Sequence, residues 1–303
     1  MNTGAQSLVL CLARQTYVYD VVGHCEIKVD VMGASRDANK PCMIWIHGGG
    51  LIFGSRIKSP REPFLRALLA KGFVVLSIDH RLAPETKLPS IVDDVQSVWR
   101  WVLAQRSTLG VDISRIAVAG GSSGAYLSLI SGYSLSPKPR ALASFWGFGD
   151  ITAPWEAEPS AFYRQMPLVS KEEAHRSVGN LPVSEPPGDV DRGYFYLYCR
   201  QQGRWLIEVT GHDLREEPGW FDLYCPIHNI VANYPPTVLV HGTLDTDVPH
   251  EESKNLALRF QQLGVKHEFL SLEGIGHGFS GASAEEAEST ELAVAAFLEA
   301  NLA

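Results

Sequence analysis

The chain has 303 residues, 45% of them hydrophobic, with 26 basic and 34 acidic side chains and a formal net charge of −8. This length and apolar content indicate one large folded domain with insertions, or two small ones, rather than a disordered chain. The acidic balance and the absence of any run of Lys and Arg argue against a nucleic-acid partner. No apolar run approaches the ~18 residues that a membrane span needs, and the N-terminal SLVLCLA is too short for a signal peptide.

Five cysteines are scattered along the chain, and none forms a Cys-x-x-Cys pair. An odd number without paired spacing argues against a disulfide framework, a zinc site or a redox pair. The economical interpretation is free thiols in a reducing compartment, so we predict a cytoplasmic protein. The five are Cys11, Cys25, Cys42, Cys199 and Cys225.

The first part of the chain alternates between strand and helix patterns. The runs TYVYDVV and HCEIKVDVMG predict an antiparallel hairpin that turns at Gly23-His24. CMIWIHGGG, residues 42–50, follows as an apolar strand that ends in glycines. A helix over about 60–71, the buried-type strand FVVLSIDH and a second helix over about 91–105 come next.

The stretch IAVAGGSSGAY predicts a short strand, a sharp Gly-rich turn and a helix that runs to about residue 133. This is the context in which Gly-x-Ser-x-Gly forms a nucleophile elbow. Ser122 has glycines at both required offsets, whereas Ser123 would need Ala125 as its second glycine. The alternative is a Gly- and Ser-rich helix entry in which Ser122 is simply the N-cap.

Beyond the elbow the alternation continues, stops and resumes. ALASFWGF predicts another apolar strand, and residues 147–234 are then irregular and rich in Pro, Gly and aromatics. Within them, FYLYCR and WLIEV, which a Gln-Gln-Gly turn separates, predict a small hairpin. TVLVHG, a helix over about 251–263, the strand KHEFLSL and a helix over about 284–302 complete the chain.

Apolar strands that alternate with amphipathic helices imply an α/β fold, with a mostly parallel central sheet covered by helices on both faces. Ligands of such sheets bind at the carboxyl ends of the strands, where each Gly-rich loop of this chain falls. We therefore predict a core formed by residues 1–146 and 235–303, with residues 147–234 as an inserted cap.

A serine nucleophile needs a base to take its proton, and the base needs an acid to orient it. His277 lies in the loop GIGHGF between the last strand and the last helix, and it is the candidate base. Two aspartates follow the strand TVLVHG. Asp245, within the loop, is the preferred acid, and Asp247 is expected to cap the next helix. The order Ser122, Asp245, His277 is that of nucleophile-elbow enzymes.

Several segments together carry a resemblance to a known family. They are HGGG at 47–50, DHRLAPE at 79–85, LPSIVDDV at 88–95, the elbow itself, and HGF at 277–279. On these motifs the chain resembles the serine esterases of the hormone-sensitive-lipase type within the α/β-hydrolase superfamily. The resemblance implies an α/β-hydrolase fold with Ser122 as nucleophile, His277 as general base and Asp245 as its orienter.

The resemblance also implies an oxyanion hole formed by the N–H groups of Gly49, Gly50 and Ser123, so that Ser123 acts through its backbone. The elbow departs from the family's usual Gly-Asp-Ser-Ala-Gly, because Gly121 and Ser123 stand at the two variable places. The segment HGTLDTDVP looks more like the aspartate motif of the prolyl-oligopeptidase group and of other carboxylesterases.

The insert at 147–234 is expected to supply the lid in place of the family's N-terminal cap. The segment from Trp146 to Tyr224 holds thirteen of the chain's 29 aromatic residues, which favours an aromatic wall over an acyl or alcohol pocket. The alternative is that a strand-poor insert needs bulky residues to build a small core. Trp155 and Phe162 are candidate wall residues.

Together the motifs predict a serine carboxylesterase that hydrolyses short- to medium-chain acyl esters through an acyl-enzyme, without a metal or a cofactor. The expected partner is a small-molecule ester, with no nucleic acid and no membrane span, and the protein is expected to be a monomer or a homodimer. Two alternatives stay open. One is a small serine peptidase or acyl-amino-acid hydrolase of prolyl-oligopeptidase-like type, and the other is a non-catalytic ligand receptor on the same fold.

Overall fold

The fold is built on one eight-stranded sheet, seen in a computed structural model that describes residues 13–36, 38–57, 60–186, 188 and 190–303. Cys11 lies outside the described residues. The strands are β1 (Gln15–Val22), β2 (Cys25–Met32), β3 (Lys40–Ile46), β4 (Val74–Ile78), β5 (Val111–Gly121), β6 (Ala141–Phe145), β7 (Thr237–Gly242) and β8 (His267–Leu272).

The strand order across the sheet is β1-β2-β4-β3-β5-β6-β7-β8. The β1–β2 and β2–β4 pairs are antiparallel, and every other pair is parallel. The prediction of a mostly parallel α/β sheet that begins with an antiparallel hairpin is confirmed. Because β3 to β8 all run in one direction, the loops that follow them meet at one edge.

Helices cover both faces of this sheet. They are α1 (Glu62–Ala70), α2 (Leu88–Leu109), α3 (Ser123–Ser134), α9 (His250–Leu263) and α10 (Ala284–Leu302); the helices numbered between α3 and α9 lie within residues 147–234 and are given below. The second helix is longer than the sequence indicated, and it ends at Gly110, whose φ of 68° is left-handed. Across the described part of the chain, no helix is both long and apolar enough to cross a membrane.

The pleat of the strands divides the apolar side chains between two cores. In β3, Cys42, Ile44 and Ile46 face the core that contains residues of α2, α3 and α9, whereas Met43 and Trp45 face the core beneath α1 and α10. This period of two on strands that are apolar throughout is the pattern of a sheet buried on both faces.

Residues 147–234 contain short helices joined by irregular segments. The helices are α4 (Pro154–Ala157), α5 (Lys171–His175), α6 (Gly193–Gln202), α7 (Trp205–Thr210) and α8 (Pro226–Asn229), with 3₁₀ turns at Tyr163–Gln165 and Pro218–Tyr224. The prediction of a hairpin from FYLYCR and WLIEV is wrong, because these segments form α6 and α7. Phe195 and Cys199, four residues apart, are both buried, and Gly203 ends α6 with a φ of 62°.

One buried arginine ties the insert to two loops of the core. Arg192 donates through Nε to the carbonyl oxygen of Ile52 at 2.6 Å and through one terminal nitrogen to that of Ala83 at 2.7 Å. Its two terminal nitrogens also bind the carboxylate of Glu85 at 2.8 and 2.7 Å. Glu85, the last residue of the DHRLAPE motif, thus has a structural role as the partner of Arg192. Arg192 holds the loop after β3 and the turn before α2 against the insert.

We expect Arg192→Ala to destabilise the protein by about 3–5 kcal/mol, because it leaves the buried Glu85 carboxylate without its cationic partner. The measurement is the free energy of unfolding in urea. Arg204→Ala is the matched control, since Arg204 is 45% exposed and pairs with Glu208 on the same helical turn. That exposed pair is worth about 0.3–0.5 kcal/mol. Equal losses in the two variants would contradict the anchoring role of Arg192.

Candidate active site

The turn between β5 and α3 holds Ser122 in a strained backbone conformation. Its φ is 56° and its ψ is −124°, a region that a residue with a side chain rarely adopts. The Ser122 N–H donates to the carbonyl oxygen of Phe145 at 2.8 Å, which fixes the turn against the end of β6. Ser122 occupies the N-cap position of α3, but its side chain makes no capping hydrogen bond.

The glycines around Ser122 are required by close backbone contacts. A Cβ on Gly120 would lie 2.4 Å from the carbonyl carbon of Gly124, and one on Gly124 would lie 2.2 Å from the carbonyl oxygen of Ile46. Neither glycine has a positive φ. The Gly-x-Ser-x-Gly spacing therefore lets the turn pack onto the end of β3, while the strain itself falls on the serine.

Trp146 packs against Gly121, the position at which the resembled family carries aspartate. A Cβ on Gly121 would lie 3.3 Å from Nε1 of Trp146, so the indole covers this side of the turn. The same indole packs edge-on against the rings of His277 and Phe279, with centroids 6.0 and 5.0 Å away. Trp146 thus connects the turn that carries Ser122 with the loop that carries His277.

The structure brings Asp245 and His277 together. Oδ2 of Asp245 lies 2.7 Å from Nδ1 of His277, and Oδ1 accepts hydrogen bonds from the N–H groups of Asp247 and Val248, both at 2.9 Å. His241, at the end of β7, also approaches Oδ2 through Nε2 at 3.3 Å. The carboxylate of Asp245 is fully buried and faces donors on both oxygens.

Asp247 does not cap the next helix, contrary to the prediction. Helix α9 begins at His250, and no side chain caps it. The Asp247 carboxylate turns instead toward the insert, where Oδ1 accepts from the hydroxyl of Tyr196 at 2.6 Å and from Arg200 at 3.2 Å. Its Oδ2 lies 3.6 Å from Nε2 of His277. Sequence reasoning missed Tyr196 and Arg200, because FYLYCR was assigned to a strand.

The HGGG loop is fastened next to Ser122. A Cβ on Gly48 would lie 3.1 Å from the Cβ of Ser122. The N–H of Leu51 donates to Oγ of Ser123 at 3.1 Å, and the carbonyl oxygen of Gly50 accepts from the indole of Trp205 at 2.8 Å. Ser123 therefore contributes a side-chain contact that the sequence did not indicate.

Three backbone donors of this region are available to a ligand. Among the described residues, no acceptor takes a hydrogen bond from the N–H groups of Gly49, Gly50 or Ser123. Gly49 and Gly50 have φ values of 123° and 60°, which favour glycine. Free N–H groups on such a loop and at a helix N-terminus suit a developing negative charge.

A depression of about 440 Å³ opens beside His277. It is lined by Tyr163, Leu244, Thr246, Asp247, Gly274, Gly276, His277 and Ser280. Neither Trp155 nor Phe162 contributes to this lining. The indole of Trp155 donates to Glu252 of α9 at 3.1 Å, which fixes the insert to the core, and Phe162 packs on Tyr163. Of the insert aromatics, Tyr163 is the one that lines the depression.

Within the described residues, no group of three or more His, Cys, Asp or Glu side chains is arranged as metal ligands. The four described cysteines are buried and unpaired with one another. Burial raises the pKa of the Cys225 thiol to about 12, so this thiol stays protonated at neutral pH. The four described cysteines are Cys25, Cys42, Cys199 and Cys225.

A family model described as the alpha/beta hydrolase fold matches residues 43–281, which include every candidate residue named above. The chain belongs to this hydrolase family. The resemblance to the hormone-sensitive-lipase type of hydrolase that its motifs indicated is therefore confirmed.

Curated relatives of this chain include esterases. Esterase LipC of Mycobacterium tuberculosis is 27% identical over 85% of the chain and 58% of its own length. The non-reducing polyketide synthase Preu6 of Preussia isomera is 28% identical over 84% of the chain. The chain spans about 13% of the length of that synthase and 58% of that of LipC. The LipC match supports the expectation of a hydrolase enzyme.

A solved structure shows the same fold. The thermophilic esterase of Thermogutta terrifontis, with butyrate bound, superimposes with a TM-score of 0.64 at 21% identity. The superposition covers 94% of this chain and 93% of that one.

Charges around His277 set its protonation. Burial lowers the pKa of the His277 imidazole, but the hydrogen bond to Asp245 and the charges of Asp247 and Asp245 outweigh burial and raise it above its usual value. Burial has the opposite effect on an acid and raises the pKa of Asp245, but hydrogen bonds from His241 and His277 hold that pKa well below its usual range. Asp245 is therefore an anion at every pH at which His277 titrates.

We expect the His277 imidazole to titrate above the ~6.5 of a free histidine, because two carboxylates stabilise its protonated form. The measurement is an NMR pH titration of the ring, assigned with a His277→Gln variant. His80 is an internal contrast, since burial lowers its pKa to about 4. A midpoint for His277 at or below 6.5 would contradict the electrostatics described here.

Proposed function

We propose that the protein is a serine carboxylic-ester hydrolase that acts on short- to medium-chain acyl esters through an acyl-enzyme. The observation that carries this proposal is the buried Asp245 carboxylate 2.7 Å from Nδ1 of His277, at the same edge of the sheet as the strained turn of Ser122. A base oriented by a buried acid, at the edge of the sheet where a turn carries a half-buried serine, is the arrangement that acyl transfer requires.

In this proposal Ser122, His277 and Asp245 have the roles of nucleophile, base and orienter. Oγ of Ser122 attacks the ester carbonyl carbon, and Nε2 of His277 takes its proton. Asp245 accepts from Nδ1–H, which selects the tautomer with a lone pair on Nε2. The imidazolium then returns the proton to the departing alcohol. Water, activated by the same base, hydrolyses the acyl-enzyme and restores the serine.

The N–H groups of Gly49, Gly50 and Ser123 form the proposed oxyanion hole. Their lack of acceptors among the described residues supports this role, because the donors stand free before the charge develops. In a preorganised hole, the loss of one donor costs about 3 kcal/mol of transition-state stabilisation. The hydrogen bond from Leu51 to Ser123 and the indole of Trp205 hold the loop that provides two of the donors.

Residues 147–234 are the proposed cap on a core of residues 1–146 and 235–303. Two contacts of the insert support this assignment. Tyr196 packs against Gly50, where a glycine Cβ would lie 2.4 Å from its ring, and Tyr163 lines the depression beside His277. Both aromatic rings belong to the insert and stand next to the proposed machinery. A depression of about 440 Å³ is in the range of small-molecule pockets and suits an ester of modest size.

The alternatives of peptidase and ligand receptor make different predictions from the esterase. We expect hydrolysis of a chromogenic ester panel with a preference for short to medium acyl chains, and little hydrolysis of peptide anilides. Each methylene buried in a pocket is worth roughly 0.8 kcal/mol, so acyl preference is visible as a several-fold change in kcat/KM per carbon. Faster cleavage of anilides would favour the peptidase, and no turnover of either panel would favour the receptor.

The two adjacent serines give a second test. We expect Ser122→Ala to abolish ester hydrolysis and labelling by an organophosphate. Ser123→Ala retains its backbone N–H and the organophosphate-reactive serine, but it leaves the Leu51 N–H without an acceptor, which costs about 1–3 kcal/mol of stability. Peptide mapping by mass spectrometry identifies the labelled residue. A covalent label on Ser123 would refute the proposed nucleophile.

A further inference from the structure

Both nitrogens of the His277 imidazole face a carboxylate. Nδ1 lies 2.7 Å from Asp245 Oδ2, and Nε2 lies 3.6 Å from Asp247 Oδ2. Among the described residues, no hydrogen bond joins His277 to Ser122. An imidazole donates at both nitrogens when it is protonated, so two carboxylates on opposite nitrogens select the imidazolium.

Asp247 is held in this orientation from the insert. Its Oδ1 accepts from the Tyr196 hydroxyl at 2.6 Å and from Arg200 at 3.2 Å, and Arg200 also donates to its backbone carbonyl at 3.1 Å. These contacts occupy Oδ1 and fix the peptide. Oδ2 is thereby left facing the imidazole of His277 and the depression beside it.

Arg200 is itself rigidly enclosed. Its guanidinium is 3% exposed and stacks near the rings of Trp155, Tyr163 and Tyr196 at 5.2, 5.3 and 5.8 Å. Glu156 lies 3.7 Å away, and burial raises the pKa of that carboxyl to about 8. Asp247 lies closer to Arg200, at 3.2 Å, and it is the carboxylate that also faces His277.

We propose that Asp247 is a positioning residue for His277, which binds the Nε2 side of the imidazolium in the resting protein and releases the ring to Ser122 when the proton leaves. This inference rests on the proposed function of His277 as base. A neutral ring that donates to Asp245 through Nδ1 carries a lone pair on Nε2, which the Asp247 carboxylate repels. The hydroxyl of Ser122 is then the favourable partner, and the same proton that blocks catalysis decides where the ring points.

In the described part of the chain, the charged groups that face the imidazole lie on two elements. Asp245 and Asp247 lie on the loop between β7 and α9, and Arg200 lies on α6 of the insert. Trp146, from the end of β6, packs on the ring without charge. Asp247 is therefore the group to substitute in order to measure its contribution to the pKa of His277. A change at Asp245 would also alter the tautomer, and a change at Arg200 would disturb a buried side chain.

The experiment compares Asp247→Asn with Asp247→Glu and with Asp222→Asn, which removes the same charge at an insert carboxylate that is 69% exposed. Two quantities are measured for each: the His277 pKa by NMR, and the acidic limb of kcat/KM on an activated ester. An opposite charge within about 4–6 Å shifts a pKa by about one unit or more. We expect both midpoints to fall by about one pH unit in Asp247→Asn, and to stay near their starting values in the other two variants.

At pH values well below both midpoints, each protein keeps only a fraction of its plateau kcat/KM. This fraction should be about tenfold larger in Asp247→Asn than in the parent. The plateau itself should fall far less than in Asp245→Asn, where a wrong tautomer costs about 10⁴ in kcat. Thermal melting checks that each variant folds, and Asp247→Ser is the second neutral substitution. If folded Asp247→Asn and Asp247→Ser leave both midpoints unchanged, the inference is overturned. If no variant or parent hydrolyses esters, the proposed function fails, while the NMR titration still decides the role of Asp247.

Discussion

The close approach of the β5–α3 turn to the end of β3 is the constraint on which the candidate site depends. Gly124 lies so near the carbonyl oxygen of Ile46 that a methyl group would have no space, and Gly120 packs directly on Gly124. Because the backbone is forced so close, Ser122 projects from a strained turn beside the HGGG loop. Backbone strain of this kind costs of order 1–3 kcal/mol and persists when surrounding contacts determine it. Here those contacts are the parallel strands on either side.

Buried polar contacts of the insert then fix the loops around that turn. Arg192 binds the carbonyl oxygens of Ile52 and Ala83, and Trp205 binds that of Gly50. Each of these carbonyls belongs to a loop at the carboxyl edge of the sheet. A buried guanidinium with bidentate carboxylate and carbonyl partners holds its neighbours with defined geometry. These contacts of the insert thus hold the proposed oxyanion loop in place.

The loop between β7 and α9 places two aspartates in different environments. Asp245 is enclosed by backbone N–H groups and two histidines, which stabilise its charge despite full burial. Asp247, two residues later, points to the other side of the loop and meets Tyr196 and Arg200. The His277 ring lies between them. The two carboxylates can therefore act on opposite nitrogens of one base, which is the physical basis of the inference about Asp247.

The sequence by itself determined the sheet, its main helices and the candidates Ser122, Asp245 and His277, because these depend on local signals. Strand and helix periods, glycine offsets at the turn and the position of loops after parallel strands are all properties of neighbouring residues. The roles of these three residues stay a prediction, as do those of Gly49, Gly50 and Ser123. Tertiary structure decided what local signals do not contain. FYLYCR folds as a helix because Phe195 and Cys199 meet a buried surface, and Asp247 pairs with Arg200 across 47 residues instead of capping α9. Such contacts depend on which distant surfaces meet, and a single sequence carries no period or spacing that records them.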